Sequence, residues 1–286
     1  MAIRILYLFL ILLFTSCEEL EVDEDSIFEA DPSEQIPEIN EIEEIITNDN
    51  AYFNWFDHSE FALEFSYKLE YRGPADSEPL VHQSYFDWSE WTTSETESFY
   101  SLDEGNYTFY VKSRFDPFVE EELDNFVDFE INAIQGPSLR IYPLNQSAQT
   151  GDEIDVYLYF EEVPEELAVT GLHIDIQINT DELEFIINDF DYGELVTGFP
   201  GETIYPNPGY SEDGASVSIM GVADSSGTGI YGTGSIVRLR LRVKDQVGSF
   251  QILIYQEEDA FQNINGDWHG FSDPVSGSVT VEGAGQ

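Results

Sequence analysis

One thiol is present, at Cys17, and it closes an apolar run instead of sitting in a catalytic or metal-binding motif. A single cysteine cannot form an intramolecular disulfide. Cations recur at a spacing of two in Arg238, Arg240, Arg242 and Lys244. On a strand that spacing puts them on one face, with Val237, Leu239, Leu241 and Val243 on the other. The stripe suits cross-strand pairing with carboxylates, or the capture of an acidic partner through forked guanidinium hydrogen bonds. Trp88, Trp91 and Trp268 carry flat faces on which sugar rings can stack, although Trp88 and Trp91 are expected rather in the core of a small β domain, where such tryptophans more often pack. His58, His82, His173 and His269 are too widely spaced for a pattern such as His-Glu-x-x-His. No Gly-x-Ser-x-Gly elbow occurs. Among 58 acidic side chains no pair stands out as acid and base. These residues point to binding, and the chain is not expected to be an enzyme.

The elements that carry these residues follow an unusual N-terminus. A basic start, Met1 to Arg4, precedes an apolar run from Ile5 to Phe14. That run is far short of the ~20 residues a membrane-spanning helix needs, and has the size of a secretory leader. The segment Leu13-Phe14-Thr15-Ser16-Cys17 resembles the lipobox of bacterial lipoproteins. The resemblance implies cleavage before Cys17, acylation of that cysteine by several chains, and anchoring through lipid alone. Residues 18–47 then hold 13 acids and no Lys or Arg, with Pro32 and Pro37 among them. Such a composition reads as a disordered, self-repelling tether over 17–48. Glu18, Glu19 and Glu21 also resemble the export signals of surface lipoproteins in the Bacteroidetes group, which implies an outer-membrane, cell-surface location.

The formal charge of the chain is −48, so neither nucleic acid nor anionic lipid is a sensible partner. A saline habitat, calcium sites or a cationic partner would each account for the acidity. Asn263-Ile264-Asn265-Gly266-Asp267 alternates oxygen-bearing side chains around a glycine, as calcium loops do, but lacks the closing glutamate and a full set of acids. A polar hairpin turn accounts for it. No cofactor is expected, calcium being the one ion considered.

Beyond the tether, alternation and recurrent turn residues predict an all-β chain whose length suits two domains, 49–136 and 137–286. Phe61, Leu63, Phe65, Tyr67, Leu69 and Tyr71 alternate with polar residues. Tyr107 to Phe115 and Val127 to Ala133 repeat the pattern, and Gln135-Gly136-Pro137 breaks it. Leu102-Asp103-Glu104-Gly105-Asn106-Tyr107, running into Phe109 and Val111, resembles the tyrosine corner of fibronectin type III and immunoglobulin-like sandwiches. Trp88-Ser89-Glu90-Trp91 is similar to a stretch of Tyr-rich sandwich domains in bacterial sensors.

The second half resembles a cohesin domain over residues 138–283. Gly151-Asp152 opens an alternating strand, and Leu172 to Asn179 runs into Asp181-Glu182-Leu183-Glu184. Gly232 to Gly234 leads into a long strand with Gly248 beyond it, and Gly277-Ser278-Val279-Thr280-Val281 closes the segment. The resemblance implies a nine-stranded jelly roll. It also implies that the strand of Arg238 to Lys244 lies beside that of Leu172 to Asn179 in the sheet that engages a dockerin. A partner face of Arg238, Arg240, Arg242, His173, Asp175 and Gln177 follows. The chain departs from cellulosomal cohesins in its outward charge and in Ile178-Asn179, where those carry Tyr-Asp. The function expected is adhesion or scaffolding through a protein partner, possession of a dockerin-like one included. The alternative is capture of polysaccharide for uptake, with Trp88, Trp91 or Trp268 as stacking platforms.

Overall fold

The computed structural model describes residues 37–56, 64–74, 84–114, 125–197, 206–211, 214–219, 229–256 and 260–283. Cys17, the leader and most of the acidic segment lie outside them, as do Phe61, Leu63 and Phe115 of the expected strands. The described chain is almost wholly β, arranged as sandwiches. Among the described residues no helix is long and apolar enough to cross a membrane.

Eight strands build the first sandwich: β1 (Glu38–Ile39), β2 (Ile45–Ile46), β3 (Ala51–Phe56), β4 (Glu64–Gly73), β5 (Ser84–Phe86), β6 (Thr96–Phe99), β7 (Gly105–Arg114) and β8 (Asn125–Ile131). They form a sheet in the order β1-β3-β6 and another in the order β2-β8-β7-β4-β5. Alternation dictates the packing. Phe53 and Trp55 of β3 meet Leu69, Phe109 and Phe129 of the larger sheet, and Phe53 stacks on Phe109 at 4.0 Å between ring centroids. Aromatic pairs of this kind contribute roughly 0.5–1.5 kcal/mol beyond their buried area.

β1 and β2 fall inside the segment whose composition reads as a tether. β1 pairs Glu38 with Phe56, and β2 pairs Ile45 with Glu130. Ile39, Ile42 and Ile46 pack against the core while the acids between them face outward. Isoleucine burial therefore draws the end of this acidic stretch into the fold. At the turn before β7, Tyr107 Oη donates to the Asp103 carbonyl at 2.9 Å. Tyr71 Oη donates to the next carbonyl, Glu104, at 2.7 Å. Gly105, at φ +130°, lets the turn pass Gly73, whose carbonyl oxygen would lie 2.2 Å from any Cβ placed there.

The second sandwich has a four-stranded sheet, β13-β16-β11-β9, made of β9 (Ser138–Tyr142), β11 (Glu153–Val163), β13 (Leu183–Tyr192) and β16 (Gly232–Val243). The other sheet has eight strands. Six run β10-β20-β17-β12-β15-β14, from β10 (Asn145–Gln149), β12 (Val169–Ile178), β14 (Pro206–Ser211), β15 (Gly214–Ile219), β17 (Gly248–Tyr255) and β20 (Gly277–Glu282). β18 (Phe261–Asn263) joins β12, and β19 (Trp268–His269) joins β18. Short pieces such as β18 and β19 raise the segment count above the nine strands implied. Between the sheets lie Val237, Leu239 and Leu241 from β16 and Leu172, Ile174 and Ile176 from β12.

All five residues of β9 are buried, because its two faces serve different cores. Leu139 and Ile141 enter the second core, whereas Tyr142 packs into the first, joined there by Tyr159 of β11. Arg140 points the same way as Tyr142, is fully buried, and joins the sandwiches electrostatically. Its Nη1 donates to Asp103 of the first sandwich at 2.5 Å, and its Nε to Glu161 of the second. The guanidinium also lies 5.0 Å from the Tyr142 ring centroid and 4.7 Å from that of Tyr159. Asp103 completes its shell with the N–H groups of Leu144 at 2.7 Å and Glu104 at 3.0 Å.

Replacing Arg140 by Met would leave two buried carboxyls without their counter-charge, a loss of about 3–5 kcal/mol. Tyr107→Phe, which strips one buried hydrogen bond, is expected to cost about 1–3 kcal/mol. Urea unfolding of the two variants checks both values, and an Arg140→Met protein as stable as the parent would contradict the first.

Candidate functional site: the outer sheet faces

β16 and β12 do not lie side by side. They occupy opposite sheets, because the apolar alternates of both strands must reach the same core. Arg238, Arg240 and Arg242 therefore face away from His173, Asp175 and Gln177, and the six residues do not make one surface. This corrects the adjacency that the cohesin resemblance implies.

The arginine stripe is an ion-pair ladder. Asp155 of β11 sits between Arg238 and Arg240, its Oδ1 accepting from both at 2.9 Å. Asp189 spans the same pair from β13 at 3.1 Å to each, and Asp191 accepts from Arg238 Nε at 2.9 Å. Arg242 pairs with Glu153 at 2.7 Å, and Lys244 Nζ donates to the Thr180 carbonyl. Burial pushes the Asp155 carboxyl up, but hydrogen bonds from Arg240 and Arg238 outweigh it and hold the group below the usual carboxylate range. Burial opposes the charge on Arg238 too, and hydrogen bonds from Asp155, Asp191 and Asp189 override it, keeping the guanidinium firmly protonated. Isolated surface pairs contribute only ~0.2–1 kcal/mol, more where charges share partners as here. Carboxylates thus offset the positive charge that was to steer an acidic partner. The other half of this sheet face, around Arg140, Tyr142 and Tyr159, is covered by the first sandwich.

The outer face of the eight-stranded sheet differs in chemistry. Pairing sets Asp175 opposite Tyr255 and Gln177 opposite Leu253, and sets Gln251 opposite Ser278 and Ser249 opposite Thr280. Residues directly opposite share a face, so a run of amides, hydroxyls and two larger side chains looks outward. Trp268 extends it past β12, paired with Gln262 and 52% exposed. Asp175 and, at the end of β20, Glu282 are the acids among the described residues of this face, in a chain of net charge −48. Leu253, Tyr255 and Gln251 escaped notice in the sequence, since their exposure depends on which sheet faces outward. The sequence signal was the alternation Gln251, Leu253, Tyr255 beside Phe250 and Ile252.

The tryptophans divide. Trp88 and Trp91 are half-buried on the outer face of the five-stranded sheet and belong to no core; the core tryptophan is Trp55. Lys68 and Lys112 lie over the Trp88 ring at 5.3 and 4.4 Å, and Lys112 and Arg114 over Trp91 at 5.2 and 4.2 Å. Cations drawn to ring faces by the quadrupole compete for the surface a sugar would need. Trp268 is the better placed of the three for stacking.

Asn263 to Asp267 closes the β18–β19 hairpin. Asn263 Oδ1 accepts the N–H groups of Asn265 and Asp267 at 2.9 and 3.0 Å, using an oxygen that a calcium loop would direct at the ion. Among the described residues no group of three or more His, Cys, Asp or Glu is placed to hold a metal. A cavity of about 400 Å³ lies on the first sandwich, lined by Glu44, Arg72, Asn106 and Asp128. A smaller one, about 80 Å³, lies at the joint beside Arg140, Glu104 and Glu161. The sequence showed no sign of the buried Asp103, Arg140 and Glu161 beyond one: a lone arginine in the apolar stretch Leu139-Arg140-Ile141-Tyr142.

No protein-family model and no curated protein sequence matches the chain. Solved structures similar to about half of the chain include cohesins. A non-cellulosomal cohesin from Archaeoglobus fulgidus is 18% identical, covering 51% of this chain and 90% of its own, with a TM-score of 0.39. A type I cohesin in complex with a dockerin, from Clostridium thermocellum, is 18% identical over 51% of this chain and 94% of its own, with a TM-score of 0.43. A type II cohesin from Acetivibrio cellulolyticus is 10% identical over 50% of this chain and 94% of its own, with a TM-score of 0.41.

Proposed function

We propose that this is a non-catalytic, lipid-anchored envelope protein of the bacterial outer membrane, exposed at the cell surface. Its second sandwich binds a protein partner through the outer face of the eight-stranded sheet. One observation carries the reading: that face is broad and has few acids, Asp175 and Glu282 among its described residues, in a chain of net charge −48. A flat array of amides and hydroxyls around Leu253 and Tyr255 has the mixed character of a protein-binding surface, with an apolar centre and hydrogen-bonding groups around it. Like-charge repulsion excludes acidic partners elsewhere on the molecule and leaves this face accessible to them. His173, Asp175 and Gln177 belong to the site; Arg238, Arg240 and Arg242 serve the fold. A dockerin-like domain is the first partner to try, given the cohesin-like sequence features.

Photo-crosslinkers at Leu253 and at Arg240 of the full lipidated chain test this. Crosslinking of a single partner is expected from position 253, lost in Gln177→Arg, and absent from position 240. Crosslinking confined to position 240 would refute the assignment. Anchoring is checked separately by metabolic labelling with a fatty acid: Cys17→Ser is expected to lose the label and leave the membrane fraction.

A second reading rests on the exposure of Trp268 beside Gln262, a stacking ring next to an amide, as glycan sites require. Under it, a polysaccharide quenches tryptophan fluorescence of the native chain but not of Trp268→Ala. Equal quenching of both proteins, or of neither, discards it.

A further inference from the structure

The joint between the sandwiches gathers more acid than its one cation balances. Arg140 faces Asp103 and Glu161, both buried, and Glu104 stands beside them on the corner turn. Glu104 Oε1 accepts the N–H groups of Ala133 and Ile134 at 2.7 and 2.8 Å, so it also clasps the segment that links the sandwiches. Glu130 from β8 and Glu161 and Glu162 from β11 line the same 80 Å³ cavity. Arg140 Nη2 is buried there with no hydrogen-bond partner, leaving the guanidinium short of one acceptor. Tyr71 contributes a hydroxyl bond to the Glu104 carbonyl, and no charge.

We propose that this joint is a proton-linked coupling: with Glu104 protonated the two sandwiches move as one body, and its ionisation lets them separate. The reasoning is linkage. While the sandwiches are docked, burial, reinforced by nearby Glu161, pushes the Glu104 carboxyl up to about 7, against the N–H bonds of Ala133 and Ile134 and the charge of Arg140. Separation returns it to water and to an ordinary carboxyl value near 4.5. The docked state therefore binds the extra proton between those values. Its stabilisation is complete below the lower value and is lost as the pH rises through the upper one. Burial pushes the Asp103 and Glu161 carboxyls up as well, against the pull of Arg140, so the same sign applies to all three. The coupling is independent of what the sheet face binds.

Residues 18–286 contain no cysteine, which makes them convenient for paired spin labels at Thr93→Cys and Thr280→Cys, one exposed site on each sandwich. A single narrow distance distribution is expected at pH 4.5 and a broad one at pH 8.5, the change falling between the ordinary value of 4.5 and the value of about 7 to which Glu104 is pushed. Glu104→Gln is expected to stay narrow at both, and Glu166→Gln, exposed and away from the joint cavity, to behave as the parent. The same narrow distribution for the parent at both pH values, or Glu104→Gln following the parent, would overturn the proposal. Carbon-detected titration of the parent Glu104 carboxyl needs no variant, and an ordinary midpoint near 4.5 would overturn it as well.

Discussion

A guanidinium withdrawn from water must find acceptors on every side, and Arg140 finds them in two domains at once. Neither sandwich supplies enough alone: Asp103 comes from the corner turn of the first and Glu161 from β11 of the second. The cost of burying these charges is several kcal/mol per ion before pairing, so the sandwiches are bound to a geometry that keeps the pairs closed. The corner is well suited to this duty. Tyr107 and Tyr71 hold its consecutive carbonyls, leaving the Asp103 carboxylate no freedom to follow Arg140 elsewhere. The turn that orders the first sandwich thus also orients the second.

The remaining cations are used in a similar way, on a smaller scale. Arg238, Arg240 and Arg242 tie β11, β16 and β13 together through Asp155, Asp189, Asp191 and Glu153. Lys68 pairs with Glu70 and Arg114 with Glu64 on the first sandwich, and both also cover tryptophan rings. In a chain with 58 acids and 10 bases, cations set between neighbouring strands remove the repulsions that would otherwise fall at the closest spacing. That is a structural use of positive charge, and it explains why an apparent binding stripe turned inward upon its own acids.

Alternation made the strands legible, since period two is a local property: β4, β7, β11, β12 and β16 all follow it closely. The turn before β7 was legible for the same reason, as its residues are consecutive. Sheet membership was not. Two strands with equal apolar faces look alike in sequence whether they are neighbours or opposite walls of one core, which is how β12 and β16 came to be expected side by side. The joint was harder still. Asp103, Arg140 and Glu161 are far apart in sequence and of types that usually mark exposed surface, so no local pattern announces them. The same holds for Trp88 and Trp91, whose spacing says that they neighbour each other and nothing of the lysines lying over them.

Sheet faces in a two-domain β protein are a limited resource, and here most are already committed. Inner faces build the cores. On the four-stranded sheet, the outer face is divided between the Arg140 joint and the arginine ladder. The five-stranded sheet is overlaid by its tryptophans and cations. Still uncovered are the outer face of the three-stranded sheet, where Tyr52 pairs with Ser98 and Asn54 with Thr96, and the outer face of β12, β17 and β20, where Asp175 and Glu282 are the acids. Solubility does not require so few acids on the latter face, for the surrounding acids already supply it. A further acid at Gln177, Gln251 or Ser278 would cost the isolated fold little, since exposed strand positions tolerate polar exchange. A broad sheet face with so few acids in a chain this acidic is what a surface reserved for a partner, as proposed above, would require.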